Sequence, residues 1–437
     1  MLIKIYPSAQ GDCLLINSGT KNILIDGGMS NSFSTQVSGE LAKMRTAGRK
    51  LDLVCVSHID ADHIAGILKM IEDEVEWRVY NFQSSHGNTS VHKPKVGRPP
   101  EIRGIWHNAF HEVVPDNTGE IEDMLAAHAN ILSASSNPIV KLAGEIALGE
   151  KQAIQLSKRL RPDQLNIPLN KQYDGKLVMV KEGQAATKIG NLSIQVIAPF
   201  EADLKKLRTR WNTWLKANKK ALAEVKADVE KDAGSLSANT LTPTSFLPAM
   251  ANKFTPIIEA ELANKELGKR SSVTAPNLAS IMFLVKEGNK TALMTGDGHW
   301  EDILKGLEAI GELDPATGLH VNVLKVQHHG AAANIHPDFC NKITADKYIF
   351  CGNGEHENPE VDVIKAIIDS RTTKPAITDQ AKNNFTLLFN SSSAITITKN
   401  KAQMKKVEQT VKQKANTHAN VKFKFMTADD KFLSINL

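Results

Sequence analysis

The chain has 437 residues, 41% hydrophobic and 23% charged, with a formal net charge of +5. That balance allows a sizeable core and excludes wholesale disorder. No run approaches the roughly 18 apolar residues of a membrane-spanning helix, and the opening MLIKIYPSAQGDCLLI is strand-like rather than leader-like, so a cytoplasmic location is expected.

In chain order, Leu2 to Tyr6, Cys13 to Ile16 and Asn22 to Ile25 alternate with turn signals and predict a hairpin-rich sheet. Thr35 to Thr46 predicts a helix and Asp52 to Ser57 a short apolar strand, of the kind buried on both faces. Residues 64 to 75 predict a second helix, with Ile64, Ile67, Leu68 and Ile71 on one side. From 85 to 185 the pattern is mixed, with helices expected around 119–134 and 150–160. Residues 201–233 read as strongly helical and 233–276 as rich in Ala, Ser, Thr, Asn and Pro, so 201–275 is expected as an insertion that could also dock a protein partner. Its Trp211, Trp214 and Leu215 share one helical side. Strands resume at 278–286, 291–295, 321–326 and 348–351, with helices between the later ones. Cys13, Cys55, Cys340 and Cys351 make no CxxC pair and read as buried thiols of a reducing compartment.

Charge is unevenly placed. Between Lys399 and Leu437 nine lysines face three acidic residues, and between Glu201 and Gly234 nine basic residues face six acidic ones. Both stretches suit contact with a phosphate backbone, and the plainer reading of each is a solvated lysine-rich face.

The densest chemistry lies in Ser57-His58-Ile59-Asp60-Ala61-Asp62-His63, directly after the apolar strand. Four ligand-type side chains fall within six residues, and imidazole with carboxylate suits zinc, manganese or iron. A helix cap would explain one carboxylate and none of the other three residues. A second apolar strand ends on Thr295-Gly296-Asp297, where one carboxylate could bridge two ions, one on each oxygen; His299 beyond it reads as a bystander. A third ends on Gln327-His328-His329-Gly330, adjacent histidines of which only one need bind. Gly352-Asn353-Gly354-Glu355-His356 could bring His356 to the same mouth.

These residues in this order resemble the metallo-β-lactamase superfamily. Its HxHxDH signature stands here as His58-x-Asp60-x-Asp62-His63, an HxDxDH variant that resembles the ComEC-type branch. The same branch shares the opening Gly11-Asp12 through Asp26-Gly27-Gly28, Thr295-Gly296-Asp297, and the LKVxHHG run from Leu324 to Gly330. The resemblance covers residues 1–80 and 275–360. It implies an α/β chain with an αββα sandwich over residues 1–395, interrupted by the 201–275 insertion and followed by a basic C-terminal extension at 396–437. It also implies two divalent metal ions, zinc first and manganese as the alternative. His58 and Asp60 would serve one ion and Asp62 and His63 the other, with Asp297 bridging, His328 or His329 completing the set and Asp26 orienting His63. Two departures stand out. No histidine among His86, His92, His107, His111 and His128 is marked as the family's third-motif ligand, and only Asn277 and Ser280 match the polar segment that usually precedes TGD.

Two ions sharing a carboxylate imply hydrolysis without a protein nucleophile, with Asp62, His328 and His356 as the candidates to take part in the reaction. Neither GxSxG nor a Gly-rich nucleotide loop competes with that reading. The resemblance and the basic stretches favour nucleic-acid phosphodiesters. A small-molecule phosphoester, ester or lactone is the rival substrate class, and a partner-binding protein with a structural metal is the third reading. The 5% aromatic content argues mildly against single-strand stacking platforms.

Overall fold

The computed structural model describes residues 1–108, 152–153, 155–202, 204, 267–270, 273 and 275–437. Among these, the strands fall into two sheets. β1 (Leu2–Ile5), β2 (Leu14–Ser18), β3 (Lys21–Ile25), β4 (Leu53–Cys55) and β5 (Ile105–Trp106) belong to the first. β6 (Thr187–Ile189), β7 (Leu192–Ala198), β8 (Met282–Glu287), β9 (Lys290–Met294), β10 (Leu319–Lys325), β11 (Ile343–Phe350), β12 (Phe385–Phe389) and β13 (Val421–Phe425) form the second, and β14 (Leu433–Asn436) returns to the first. The orders are β14-β1-β2-β3-β4-β5 and β13-β12-β11-β10-β9-β8-β7-β6. β1–β3 and β6–β9 pair antiparallel, whereas β3–β4–β5 and β9 through β13 run parallel.

Strand alternation builds the layers. Ile3, Ile5, Leu14, Ile16, Ile23 and Ile25 on the first sheet meet Phe283, Val285, Met294, Val323 and Ile349 on the second, in one core between the sheets. The opposite faces carry Leu15, Leu24 and Val54, packed under α1 (Ser38–Thr46) and α2 (Ala61–Ser85) through Leu41, Ile64, Ile67 and Ile71. Leu284, Leu293, Leu324, Tyr348 and Phe350 lie under α3 (Trp300–Ala309), α4 (Pro337–Lys342), α5 (Val361–Asp369) and α6 (Lys401–Thr417). The result is the αββα sandwich that the resemblance implies.

Several elements differ from their sequence reading. α2 runs on to Ser85 because residues 76–85 contain no Pro or Gly to stop it, although that stretch lacks the apolar face seen before. α1 is preceded by a π turn over Phe33–Val37. β5, β6 and β7 were not anticipated. Residues 396–437, read as a basic extension, supply α6, whose Met404, Val407 and Val411 are buried, and an edge strand to each sheet. Most of the 201–275 insertion, with Trp211, Trp214 and Leu215, the helix expected at 119–134, and His111 and His128 lie outside the described residues. All four cysteines are buried and free. No helix among the described residues is long and apolar enough to cross a membrane.

Candidate metal centre

Strand ends deliver the site. Asp12 lies in the turn before β2, whose start pairs with the end of β3, so Asp12 and Asp26 emerge at the same edge. β4 runs out through Val56 and Ser57 to His58, β9 to Asp297, and β10 to His328 and His329. Backbone bonds tie these ends together: Asp26 N donates to Cys55 O at 2.8 Å, His328 N to Gly296 O at 3.1 Å, and Ile281 N crosses between the sheets to Ser57 O at 2.8 Å. Asp26, His328 and His329 have φ of 54°, 44° and 55°, a left-handed conformation that costs non-glycine residues on the order of 1–3 kcal/mol each. Two successive left-handed residues turn both imidazoles inward, where an extended strand would send them to opposite faces.

Four imidazoles converge on a single carboxylate oxygen. From Asp297 Oδ2, the Nε2 atoms stand at 3.1 Å for His329, 3.3 Å for His63, 3.6 Å for His328 and 3.8 Å for His58. Three of the four Nδ1 atoms have protein partners. Asp26 Oδ2 holds that of His63 at 2.9 Å, Ser57 Oγ that of His58 at 3.1 Å, and Asn334 Oδ1 that of His328 at 2.8 Å. His329 Nδ1 faces Asp12 Oδ1 at 3.2 Å. The remaining carboxylates close two groups around Asp297. Asp62 reaches His329 Nε2 at 3.3 Å and His63 Nε2 at 3.9 Å, while Asp60 lies 3.5 Å from His58 Nε2.

These residues fit a divalent metal. His58 Nε2 is buried without a hydrogen-bond partner, an arrangement that costs stability unless something else uses the lone pair. His63 and His329 present Nε2 to Nε2 at 3.3 Å, and their distances to Asp297 Oδ2 complete a triangle with edges of 3.1 to 3.3 Å. Ligand atoms around one tetrahedral zinc stand about 3.4 Å apart, given bonds of about 2.1 Å. Asp12, His63, Asp297 and His329, all buried, form a compact His/Asp cluster able to hold an ion.

Charge in the cluster is mutually dependent. Burial alone would raise Asp297, but the His329, His63 and His328 imidazoles and the Lys325 ammonium outweigh it and hold the carboxyl well below its usual range. Burial works against Asp62 and Asp12 in the same way, and neighbouring cations lower both. Burial would lower His63 and His329, yet Asp297 and the adjoining carboxylates raise both well above the ordinary imidazole value. His328 goes down, with desolvation dominating. A divalent ion would satisfy the same carboxylates and displace those protons.

The structure thus brings together His58, Asp60, Asp62, His63, Asp297, His328 and His329, with Asp26 behind His63. Both adjacent histidines reach the centre, although one would have sufficed. Asp297 Oδ1 faces Lys325 Nζ at 3.5 Å, and the distances to the four imidazoles run from Oδ2. His356 does not converge there; it is exposed on the 352–358 loop with φ of 52°. His299 caps α3, accepting from Glu301 N, with its Nε2 at 3.2 Å from Gly268 O, and burial pushes it down to about 4. His86 and His92 are exposed, and His107 is buried at the end of β5. The sequence reading gave no role to Asp12, Lys325 or Asn334. A lysine inside the apolar run Val323 to Val326 was a usable signal, whereas Asn334, after three alanines, offered none.

The model of the metallo-beta-lactamase superfamily matches residues 7–74, the stretch carrying Asp12, Asp26 and His58 to His63. Among solved structures, the metallo-beta-lactamase fold protein YhfI from Bacillus subtilis is similar at 10% identity over 99% of each chain, with a TM-score of 0.30. The metallo-beta-lactamase SMB-1 bound to 2-mercaptoethanesulfonate is similar at 11% identity over 95% of this chain and 96% of that one, with a TM-score of 0.24. No curated protein matches the chain.

Proposed function

We propose that the chain is a metal-dependent hydrolase of phosphodiesters, acting on nucleic acid, with two divalent ions, zinc or manganese, sharing Asp297. The observation that carries the reading is the convergence of four imidazole Nε2 atoms on Asp297 Oδ2, with Asp62 beside His63 and His329 and Asp60 beside His58. Asp62, His63 and His329 would hold one ion, and His58, Asp60 and His328 the other. Ions held there would supply the Lewis acidity that lets water attack a phosphorus centre near neutral pH and would neutralise charge on the attacked group.

The chain's own side chains do the rest. Asp26, Ser57 and Asn334 fix the rings of His63, His58 and His328, so that each Nε2 is presented rather than turned away. His328, Asp60 and Asp62 keep side-chain exposures of 27%, 28% and 21%, against 5% or less for His58, His63, Asp297 and His329, so substrate and water reach the centre from that side. Support for a polyanionic substrate comes from α6. Its start adjoins the 352–358 loop through Asn400 Nδ2 to Glu355 Oε2 at 2.6 Å, that loop lies against His329 at Gly352, and Lys401, Lys405 and Lys406 are exposed on the helix.

The deciding experiment pairs metal content with cleavage of labelled single- and double-stranded DNA and RNA in added zinc or manganese, using Asp297→Ala as the blank. About two ions per chain with cleavage lost in the variant is the expected result. Bound metal without cleavage would overturn the nucleic-acid substrate and direct the search to small phosphoesters and lactones, and absence of metal would overturn the hydrolase reading.

A further inference from the structure

Two of the buried charges near the centre belong to side chains assigned no metal above. Lys325, at the end of β10, has 1% side-chain exposure, as does Asp12, and the two form an ion pair. Lys325 Nζ also donates to Gly296 O at 2.8 Å and stands 3.5 Å from Asp297 Oδ1. The second oxygen of Asp12 lies 3.2 Å from His329 Nδ1, the ring nitrogen opposite the one facing Asp297. The turn that carries Asp12 is pressed against the metal-facing segment, since a Cβ on Gly11 would collide with the Asp62 carbonyl. One carboxylate and one ammonium therefore reach both a histidine and the shared carboxylate.

Resting on the metal-centre reading, we propose that Asp12 and Lys325 are a positioning pair. Asp12 holds His329 as the Nδ1–H tautomer with Nε2 towards the metal, and Lys325 occupies Asp297 Oδ1 so that Oδ2 alone is offered to the ions. Asp12 is thus not a ligand, although it stands close enough to His63, Asp297 and His329 to be counted as one. Oδ2 is taken by Lys325, and Oδ1, which has no hydrogen-bond partner elsewhere, lies 3.2 Å from a His329 Nδ1 that likewise has none, so a proton on that nitrogen would serve both buried atoms. The arrangement repeats, for an imidazole of the second sheet, what Asp26 does for His63, with one oxygen on the imidazole and both oxygens on Ser57. Stability alone does not account for the pair, because replacing a buried ion pair with well-packed apolar groups is often neutral or stabilising. Outer carboxylates of this kind matter instead through ligand orientation, typically at 10- to 100-fold in metal affinity.

The test uses the full chain stripped of metal and titrated with zinc, and with cobalt(II) as a spectroscopic probe. Asp12→Asn together with Lys325→Met removes both charges at once and leaves neither partner buried alone, so the metal-free variant is expected to melt near the wild type. Zinc affinity should fall about 10- to 100-fold while the number of ions bound per chain and the cobalt coordination number stay as in the wild type. Loss of one ion, or a change in coordination number, would make Asp12 a ligand and overturn the proposal; unchanged affinity would overturn it as well. Imidazole nitrogen NMR of the zinc-loaded wild type, with His329→Gln to assign the ring, reads the tautomer without touching the pair. A proton on Nδ1 is expected, and a proton on Nε2 overturns the proposal even if the double variant fails to fold. A wild-type chain that binds no zinc would overturn the metal-centre reading itself, an outcome distinct from a wild type and a variant that bind equally well.

Discussion

Asp297 is a carboxylate whose charge is decided by its neighbours rather than by its burial. Desolvation favours the neutral acid, and the surrounding imidazoles and Lys325 reverse that preference. The same coupling raises His63 and His329, which favours their protonated forms in the metal-free protein. Zinc added to metal-free protein near pH 7 should therefore release protons, measurable as a buffer-dependent heat, and zinc affinity should fall as pH falls because protons compete for the same nitrogens. The stability of the metal-free chain has the opposite dependence on the basic side. His63 and His329 have folded values above their unfolded ones, so their contribution is complete below about pH 6.5 and is lost as pH rises through the raised values. Asp297, Asp62 and Asp12 have lowered values, so theirs is complete above about pH 4 and is lost on acidification. His299 and His328 have lowered values and favour folding above about pH 6.5, losing that contribution on acidification, so the melting temperature of metal-free protein is expected to peak near pH 6.5, and a maximum at or above pH 8 would contradict this charge assignment. Asp26→Asn should weaken zinc binding by about 10- to 100-fold, because the amide keeps one accepting oxygen where the carboxylate offers two to His63 Nδ1, Ser57 Oγ and Ser57 N.

At the scale of elements, the site depends on turns that only particular residues allow. The turn before β2 approaches α2 so closely that a Cβ at Gly11 would overlap the Asp62 carbonyl, and one at Gly66 would overlap the backbone of Gly27. Neither neighbour is the end of a flexible side chain, so both contacts must be relieved by moving backbone. Gly11→Ala is expected to destabilise the chain by about 1–3 kcal/mol in urea unfolding and to lower metal content by displacing Asp62, whereas Gly19→Ala, where a Cβ meets nothing, should leave metal content intact. The same elements show what the sequence makes legible. β1 to β4 and β8 to β11 were readable because apolar runs ended in turn residues, and the ligands were readable because they cluster just beyond those runs. β5 is two residues long and β6 three, too short to carry a pattern of their own, and they form because β4 and β7 offer edges to pair with. Asp12 and Asn334 gain their roles only from the fold, which brings the β1–β2 turn and the segment after β10 to the ends of other strands. Lys325 was visible as an oddity in an apolar strand, but its partner stands 313 positions earlier in the chain.

For the whole molecule, the C-terminal segment joins fold and proposed function. Its lysine excess reads in sequence as a charged appendage, because five lysines in α6 and two in β13 mask the buried Met404, Val407 and Val411 and the alternation of β13. In the structure β14 pairs with β1 along its full length and β13 with β12, so one segment closes an edge of each sheet while α6 covers the second sheet. Two consequences can be separated experimentally. Truncation after residue 395 exposes the strand edges of β1 and β12 and the apolar surface beneath α6, and the truncated chain is expected to aggregate or unfold whatever its substrate. Replacing Lys401, Lys405 and Lys406 with Gln changes only exposed positions and should leave melting temperature and metal content as they are. If α6 lies along a nucleic-acid track, those substitutions should weaken binding of uncleaved nucleic acid by Asp297→Ala protein and make its dependence on log salt shallower, by up to about one unit for each lysine that contacts phosphate. An unchanged salt slope in a folded, metal-loaded variant would remove α6 from the substrate path and leave its lysines the role of keeping an edge of the sandwich soluble.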